Sequence, residues 1–172
     1  NVNPTDMEAL QTAAKYIPGD IIDFYLKSWV STQEESKRMH YHIFPTTLLA
    51  HLQMCKDTGR TAGGAAYKNS LNFSRHDFLL FPIHEMRDGS GHHWYLVIFC
   101  MFPTLSVESD QTRRCVLFFN SLKCSRTTRH AKRAIADIKA YLTDLSGSGD
   151  SPMKDFPFVE VEVHQQDANN CA

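Results

Sequence analysis

The segment Phe78-Leu79-Leu80-Phe81-Pro82-Ile83 is a continuous apolar run of the length of a β-strand. Two further runs of this kind follow, at residues 94–101 and at Cys115–Phe119. Continuous apolar runs, unlike alternating ones, are typical of strands that are buried on both faces. The three runs therefore predict a central sheet inside the core.

Helical patterns lie on both sides of these runs. Helices are predicted over residues 6–15, 20–30, 46–54 and 127–145, a polar loop over residues 31–39, and a fourth strand over residues 158–163. In residues 20–30, for example, Ile21, Leu26 and Trp29 recur at helical spacing. The fold class predicted is α+β, with a helical front section, a central mixed sheet and a flanking helix.

The composition is that of an ordinary globular protein. A chain of 172 residues fits one domain, and 42% hydrophobic with 22% charged residues is typical of soluble domains. A net charge of -1 argues against a nucleic-acid-binding protein, which would present a strongly basic face. No apolar stretch approaches the roughly 20 residues that a membrane-spanning helix needs. Neither nucleic acid nor membrane is therefore an expected partner.

The cysteines indicate the compartment. There are five, an odd number, and none forms a close pair in the sequence. Cys100 and Cys115 lie within apolar runs, where a free cysteine behaves as a small hydrophobic residue. No disulfide framework is indicated, so we expect a reducing intracellular compartment, the nucleus or the cytoplasm.

Two polar residues stand at the ends of neighbouring predicted strands. His93 directly precedes the run at residues 94–101, and Asn120 directly follows Cys115–Phe119. In antiparallel strands joined by a hairpin, the first residue of one lies beside the last residue of the other. This predicts His93 and Asn120 side by side, as hydrolysis by a cysteine needs for its imidazole and orienting group. Taken alone, a histidine at a strand end also fits an ordinary surface or core position.

A series of short motifs runs through the chain in a fixed order. They are a helix start at residues 17–26, an extended piece and helix at residues 42–52, a strand at residues 77–83, His93-Trp94, Asn120-Ser121-Leu122, and Gln165-Gln166 ahead of Cys171. In this order and context they resemble the catalytic domain of the ubiquitin-like-protein-specific (SUMO/sentrin-specific) cysteine protease family. The resemblance extends over nearly the whole chain.

The resemblance implies a papain-like cysteine protease fold and a protease or isopeptidase that cleaves after the C-terminal Gly-Gly of SUMO or another ubiquitin-like protein. It implies that His93 is the general base and Cys171 the nucleophile. Gln165 takes the place of the oxyanion donor, together with the backbone N–H of Cys171. Asn120 takes the place of the family's triad carboxylate.

The resemblance also implies the substrate site. Trp94 and Tyr16 take the places of two aromatic walls of a narrow tunnel that admits only glycines. The expected partners are therefore SUMO or other ubiquitin-like proteins and their conjugates. No cofactor and no metal is expected.

The chain departs from the family at three places. Asn120 stands where the family has an aspartate, so it brings no negative charge to an imidazolium. Asn170-Cys171-Ala172 replaces the family's Asp-Cys-Gly. The chain ends at Ala172, whereas in the family the nucleophile opens a buried helix. We therefore expect residues 1–172 to be a single catalytic domain whose C-terminal part is missing from the chain or is supplied by a second chain.

Three other interpretations stay open. His84, His92 and His93, with Glu85 and Cys100, offer ligand types for zinc, although their spacing matches no standard zinc pattern. The departures above favour a catalytically weak or inactive domain, a pseudoprotease or fragment, that binds a ubiquitin-like protein without cleaving it. Transfer of acetyl groups by a similar catalytic set would need an acid at position 120.

Overall fold

The computed structural model describes residues 17–60, 75–87, 91–101, 114–122, 125–146 and 156–163. The described helices are α1 (Gly19–Thr32), α2 (Glu35–Arg38), α3 (Leu48–Asp57) and α4 (Ser125–Ser146). The described strands are β1 (Tyr41–Ile43), β2 (Phe78–Arg87), β3 (Gly91–Cys100), β4 (Cys115–Phe119) and β5 (Phe158–Val161). None of these helices is long and apolar enough to cross a membrane.

The five strands form one mixed sheet in the order β1-β2-β3-β4-β5. The three central strands pair antiparallel, whereas β1 and β5 pair parallel to β2 and β4 at the two edges. The predicted α+β class with a central mixed sheet is therefore confirmed.

One face of the sheet packs against α3 and α4 and forms the core. This face holds alternate residues of the central strands and the inner sides of both helices: Leu79, Phe81, Ile83, Val97, Phe99, Val116, Phe118, Leu48, Leu52, Ile138 and Leu142. Helix α4 buries the apolar residues that recur at helical spacing in the helix predicted over residues 127–145, among them Ala131, Ile138 and Leu142. Burial of a side chain such as Leu142 contributes about 1.5–3 kcal/mol.

The second face of the sheet is less covered than the continuous apolar runs predict. Residues 79–83 are all buried, but β4 alternates between buried and half-buried side chains, and Leu96 and Ile98 of β3 are half-buried. On this face Ile22 of α1 shares a cavity of about 470 Å³ with Pro82, Leu96 and Phe119. An apolar run reports hydrophobicity, whereas its burial also depends on which other element lies over it.

Several predicted boundaries differ from the structure. The polar loop predicted over residues 31–39 contains the short helix α2. Helix α3 begins at Leu48 rather than Thr46, because Pro45 opens a turn in which the N–H of Leu48 donates to the Pro45 carbonyl at 2.9 Å. Strand β3 begins at Gly91 rather than Trp94, since backbone pairing with β2 continues beyond the apolar run. The helix predicted over residues 6–15 lies outside the described residues.

Gly19 lies where α1 meets the turn before α3. A Cβ at this position would lie 2.6 Å from Thr46 Oγ1 and 3.5 Å from Trp94 Cη2. Thr46 is itself held by Asp23, because its backbone N–H donates to Oδ1 at 3.0 Å and its hydroxyl to Oδ2 at 3.3 Å. The contact therefore requires a residue without a side chain.

We expect Gly19→Ala to lower the free energy of unfolding by about 1–3 kcal/mol, the usual cost of overpacking. Chemical denaturation measures this change. Thr46→Ala removes the closest atom, so the double variant should lose less stability than the sum of the two single variants. Because alanine is the better helix former, an unchanged or raised stability for Gly19→Ala would contradict the close contact.

His42 on β1 is a partly buried histidine. Its ring lies 4.6 Å from that of Phe44 and 5.2 Å from that of His76, measured between centroids. Burial and then the neighbouring His76 lower the pKa of His42 to about 4. The unfolded chain, with an ordinary histidine pKa near 6.5, therefore binds a proton that the folded chain does not bind between these two values.

We expect stability to fall as the pH drops from about 6.5 to about 4, because the unfolded state gains protons first. His42→Phe keeps a ring on β1 and should flatten this part of the pH dependence of the unfolding midpoint. His51→Phe, at an exposed position of α3, is the matched control and should leave the slope as in the wild type. Equal slopes for all three proteins would argue against His42 as the source.

Candidate active site

The candidate site lies at the end of the sheet where β3 begins and β4 ends. His93 Nε2 donates to Asn120 Oδ1 at 2.6 Å, and the two residues are 4% and 5% exposed. The last paired residues of the two strands are Leu96 and Phe119. Asn120 thus stands one residue beyond the pairing and reaches His93 with its side chain. The structure brings together the two residues that strand order predicted to be neighbours.

The turn after β4 fixes the orientation of the Asn120 amide. Its Nδ2 donates to the Leu122 carbonyl, and the Leu122 N–H donates to Asn120 Oδ1 at 3.1 Å. Because Oδ1 only accepts, the Nε2 of His93 must carry the hydrogen, and a neutral ring then has its basic lone pair on Nδ1. Asn120 therefore selects the tautomer in which Nδ1 can take a proton.

Trp94 follows His93 and points to the other face of the sheet, as neighbouring residues of a strand do. Its Nε1 donates to the Ile17 carbonyl at 2.9 Å. With Gly19, Thr46 and His84 it lines a cavity of about 430 Å³. The indole is thus a fixed wall between the start of α1 and the β2–β3 hairpin.

A histidine pair lies next to this wall. His84 Nε2 and His92 Nδ1 are 2.9 Å apart, and the two rings stack at 5.0 Å between centroids. Burial lowers the pKa of His84, and the neighbouring His92 and His130 lower it further. The His84 ring therefore takes up a proton less readily than an ordinary histidine, because its pKa is lowered.

The described residues hold no group of three or more His, Cys, Asp or Glu side chains that could hold a metal ion. His92 is exposed and His93 buried, so they face opposite sides of β3. Cys100 lies at the far end of β3, opposite Phe78 and Cys115. Burial and the adjacent Cys115 raise the pKa of Cys100 to about 12, so this thiol is a poor nucleophile.

Of the predicted site residues, the structure places His93, Asn120 and Trp94 at one end of the sheet. Tyr16, Gln165 and Cys171 lie outside the described residues, and their roles stay predictions. The sequence suggested Glu85 only as a possible zinc ligand. In the structure it is buried directly opposite His93 in the β2–β3 pairing. The register that brings it there depends on the length of the hairpin turn, which no local motif records.

No family model matches the sequence. A curated protein and several solved structures are nevertheless similar to the chain. The chain is 31% identical over 138 residues to "Probable ubiquitin-like-specific protease 2A" from Arabidopsis thaliana. This alignment covers 72% of the chain but 17% of that relative's length. The chain therefore corresponds to a small part of that protein.

Two solved structures show the fold. A de-sumoylating protease superposes with a TM-score of 0.71 at 19% identity, over 98% of this chain and 62% of that one. The SUMO protease Ulp1, with its catalytic cysteine oxidised to a sulfinic acid, superposes with a TM-score of 0.62 at 15% identity, over 99% and 79%. The fold is that of the SUMO proteases.

Together with the sequence similarity to a ubiquitin-like-specific protease, these superpositions confirm the resemblance to the ubiquitin-like-protein-specific protease family. The sequence similarity supports the family, and the superpositions support the fold.

We expect NMR of the His93 ring to show a proton on Nε2 and a bare Nδ1 in the neutral wild type. Asn120→Ala should give a mixture of tautomers and cost about 1–3 kcal/mol, because the Leu122 N–H and carbonyl lose their partners. Ser121→Ala, which changes the adjacent residue of the same turn, is the control and should keep the wild-type tautomer. A wild-type ring protonated on Nδ1 would contradict the assigned contact.

Proposed function

We propose that the chain is the catalytic part of a cysteine protease or isopeptidase that cleaves after the C-terminal Gly-Gly of SUMO or another ubiquitin-like protein. Cys171 is the nucleophile, His93 the general base, Asn120 its orienting partner and Gln165 the oxyanion donor. The observation that carries the proposal is the buried contact between His93 and Asn120 at one sheet end of a SUMO-protease fold.

The proposed reaction begins when His93 Nδ1 takes the thiol proton of Cys171. The thiolate attacks the carbonyl carbon of the substrate's last glycine, and the carbonyl oxygen becomes negatively charged. The Gln165 side-chain amide and the Cys171 backbone N–H donate hydrogen bonds to this oxygen. His93 then protonates the departing amine, which leaves a thioester between Cys171 and glycine.

Water completes the cycle. His93 removes a proton from a water molecule that attacks the thioester carbonyl, and the glycine leaves as a carboxylic acid while Cys171 recovers its proton. The imidazole thus acts as base and acid in both halves of the reaction. The fixed tautomer of His93 suits this sequence because Nδ1 exchanges protons while Nε2 stays bonded to Asn120.

We place the path for the substrate's glycines between Trp94 and Tyr16. Support comes from the hydrogen bond of the Trp94 indole to the Ile17 carbonyl, because Ile17 directly follows Tyr16 in the sequence. The close approach at Gly19 holds the start of α1 near the same indole. Two aromatic side chains that wall a narrow path would exclude any residue larger than glycine.

A second candidate function is recognition of a ubiquitin-like protein without cleavage. It is favoured by Asn120, because an amide brings no negative charge to a protonated His93. In the serine-protease triad, replacing the aspartate by asparagine lowers turnover by about 10⁴ through the wrong tautomer. Here Asn120 itself selects the Nε2-protonated tautomer, so that loss does not apply in full.

The deciding experiment incubates the full chain with SUMO and ubiquitin probes that carry a C-terminal electrophile, followed by mass spectrometry. We expect one probe class to form an adduct that maps to Cys171. Cys171→Ala should abolish the adduct and leave noncovalent binding of the probe nearly unchanged. Cys115→Ala, which removes a half-buried thiol at the other end of the β3–β4 pair, is the control and should retain labelling.

The opposite outcome is equally informative. A folded chain that binds one modifier but forms no adduct with any probe would establish recognition without cleavage. An adduct at a cysteine other than Cys171 would remove the proposed nucleophile.

A further inference from the structure

We propose that Glu85 is a positioning residue for the reaction proposed above: from the neighbouring strand it supplies the negative charge that Asn120 lacks, and it stabilises His93 in its protonated state. The catalytic role of Glu85 rests on the proposed function. The effect of Glu85 on the protonation of His93 does not depend on it.

The strand register places Glu85 beside His93. In the antiparallel β2–β3 pair, Glu85 and His93 are direct cross-strand partners. Such partners project to the same face of a sheet with their Cβ atoms about 4.5–5.5 Å apart. Both residues are buried, at 2% and 4% exposure, so little water separates or screens them.

The surroundings of Glu85 hold a negative charge in place. Thr127, fully buried in the first turn of α4, donates from Oγ1 to Glu85 Oε2 at 2.8 Å. The N-terminal end of a helix as long as α4 also carries partial positive charge. A buried carboxylate needs such partners, because burying a charge without them is costly. The carboxylate is thus fixed at one oxygen, on the face of the sheet to which His93 also projects.

The charge of Glu85 also raises the pKa of neighbouring groups. Burial and then Glu85 raise the pKa of Tyr95, which stays a neutral phenol in hydrogen-bond contact with His130 Nδ1 at 2.7 Å. On the other face of the sheet, Glu85 partly offsets the effects of burial and of His92, His130 and His93 that lower the pKa of His84. Since His93 is among the groups that lower the pKa of His84, a positive charge on either ring opposes one on the other, whereas the negative charge of Glu85 favours a protonated His93.

Asn120 and Glu85 therefore divide two tasks that a single triad carboxylate performs. Asn120 accepts from Nε2 and sets the tautomer. Glu85 offers no replacement for that contact, but its charge lies close enough to stabilise the imidazolium that forms when His93 takes the Cys171 proton. An opposite charge at this range shifts a protonation equilibrium by about 1–3 pH units.

The test uses Glu85→Gln in the full chain, because glutamine keeps the size of the side chain and an acceptor for Thr127. By NMR, His93 should titrate at a pH about one unit lower than in the wild type. The labelling rate with the reactive probe at pH 7.5 should fall about 10-fold, and the alkaline limb of its pH profile should move to lower pH. Glu160→Gln, on the exposed edge strand β5, should change none of these quantities.

A rescue separates charge from structure. Glu85→Gln combined with Asn120→Asp restores a carboxylate beside His93 and should recover part of the lost rate and of the shifted titration. A purely structural role of Glu85 would leave the double variant no better than the single one, and this result would overturn the proposal. So would a folded Glu85→Gln protein with an unchanged His93 titration.

The two proposals fail differently. If no probe labels the wild type, the proposed protease activity is wrong, but the His93 titration still decides whether Glu85 acts on the imidazole. If Glu85→Gln does not fold, the wild type alone decides. There His93 should titrate above the ordinary histidine value of about 6.5, and a lower value would overturn the inference.

Discussion

Every group of the candidate active site depends on the antiparallel pairing of β3 with its two neighbours. Pairing with β4 brings Asn120 to the side of His93, and pairing with β2 sets Glu85 opposite the same imidazole. Asn120 lies 27 residues from His93 in the sequence, and Glu85 lies across a hairpin from it, so the register of this sheet brings the three residues together. Because the same strands carry the apolar core on that face, the energy that folds the domain also fixes the geometry of the polar end.

Hydrogen bonds of defined direction orient the side chains at the polar end of the sheet. Thr127 holds one oxygen of Glu85, and the backbone of Leu122 holds both ends of the Asn120 amide. The imidazole therefore meets partners that are already oriented, so little reorganisation accompanies a proton transfer. Trp94, on the opposite face, donates to a backbone carbonyl, and its ring lies 5.0 Å from that of His84 between centroids.

Much of the fold could be predicted from the sequence, because its strongest signals are long and apolar. The helix Ser125–Ser146 and the strands around residues 79–83 and 116–119 follow from periodicity and from continuous apolar runs. The start of β3 at Gly91 could not, since Gly91 and His92 lie outside the apolar run and pair in the sheet with Arg87 and Met86. The short helix Glu35–Arg38 was not predicted either, because four polar residues carry no hydrophobic periodicity.

The candidate site was predictable in part. That His93 and Asn120 are neighbours followed from the order of the strands. The pairing of His93 with Glu85 did not, since a charged residue at the end of an apolar run is more often a surface residue.

Because the backbone of Leu122 binds both ends of the Asn120 amide, asparagine and aspartate are not equivalent at this position. An amide satisfies the Leu122 carbonyl with its NH₂ group and His93 with its oxygen at the same time. A carboxylate in the same turn would keep the contact with His93 but set an oxygen against that carbonyl. Aspartate at this position would therefore gain charge beside the imidazole and lose stability in the turn, unless the Leu122 peptide rotates. The local stability of the turn and the charge beside His93 are thus coupled through one side chain.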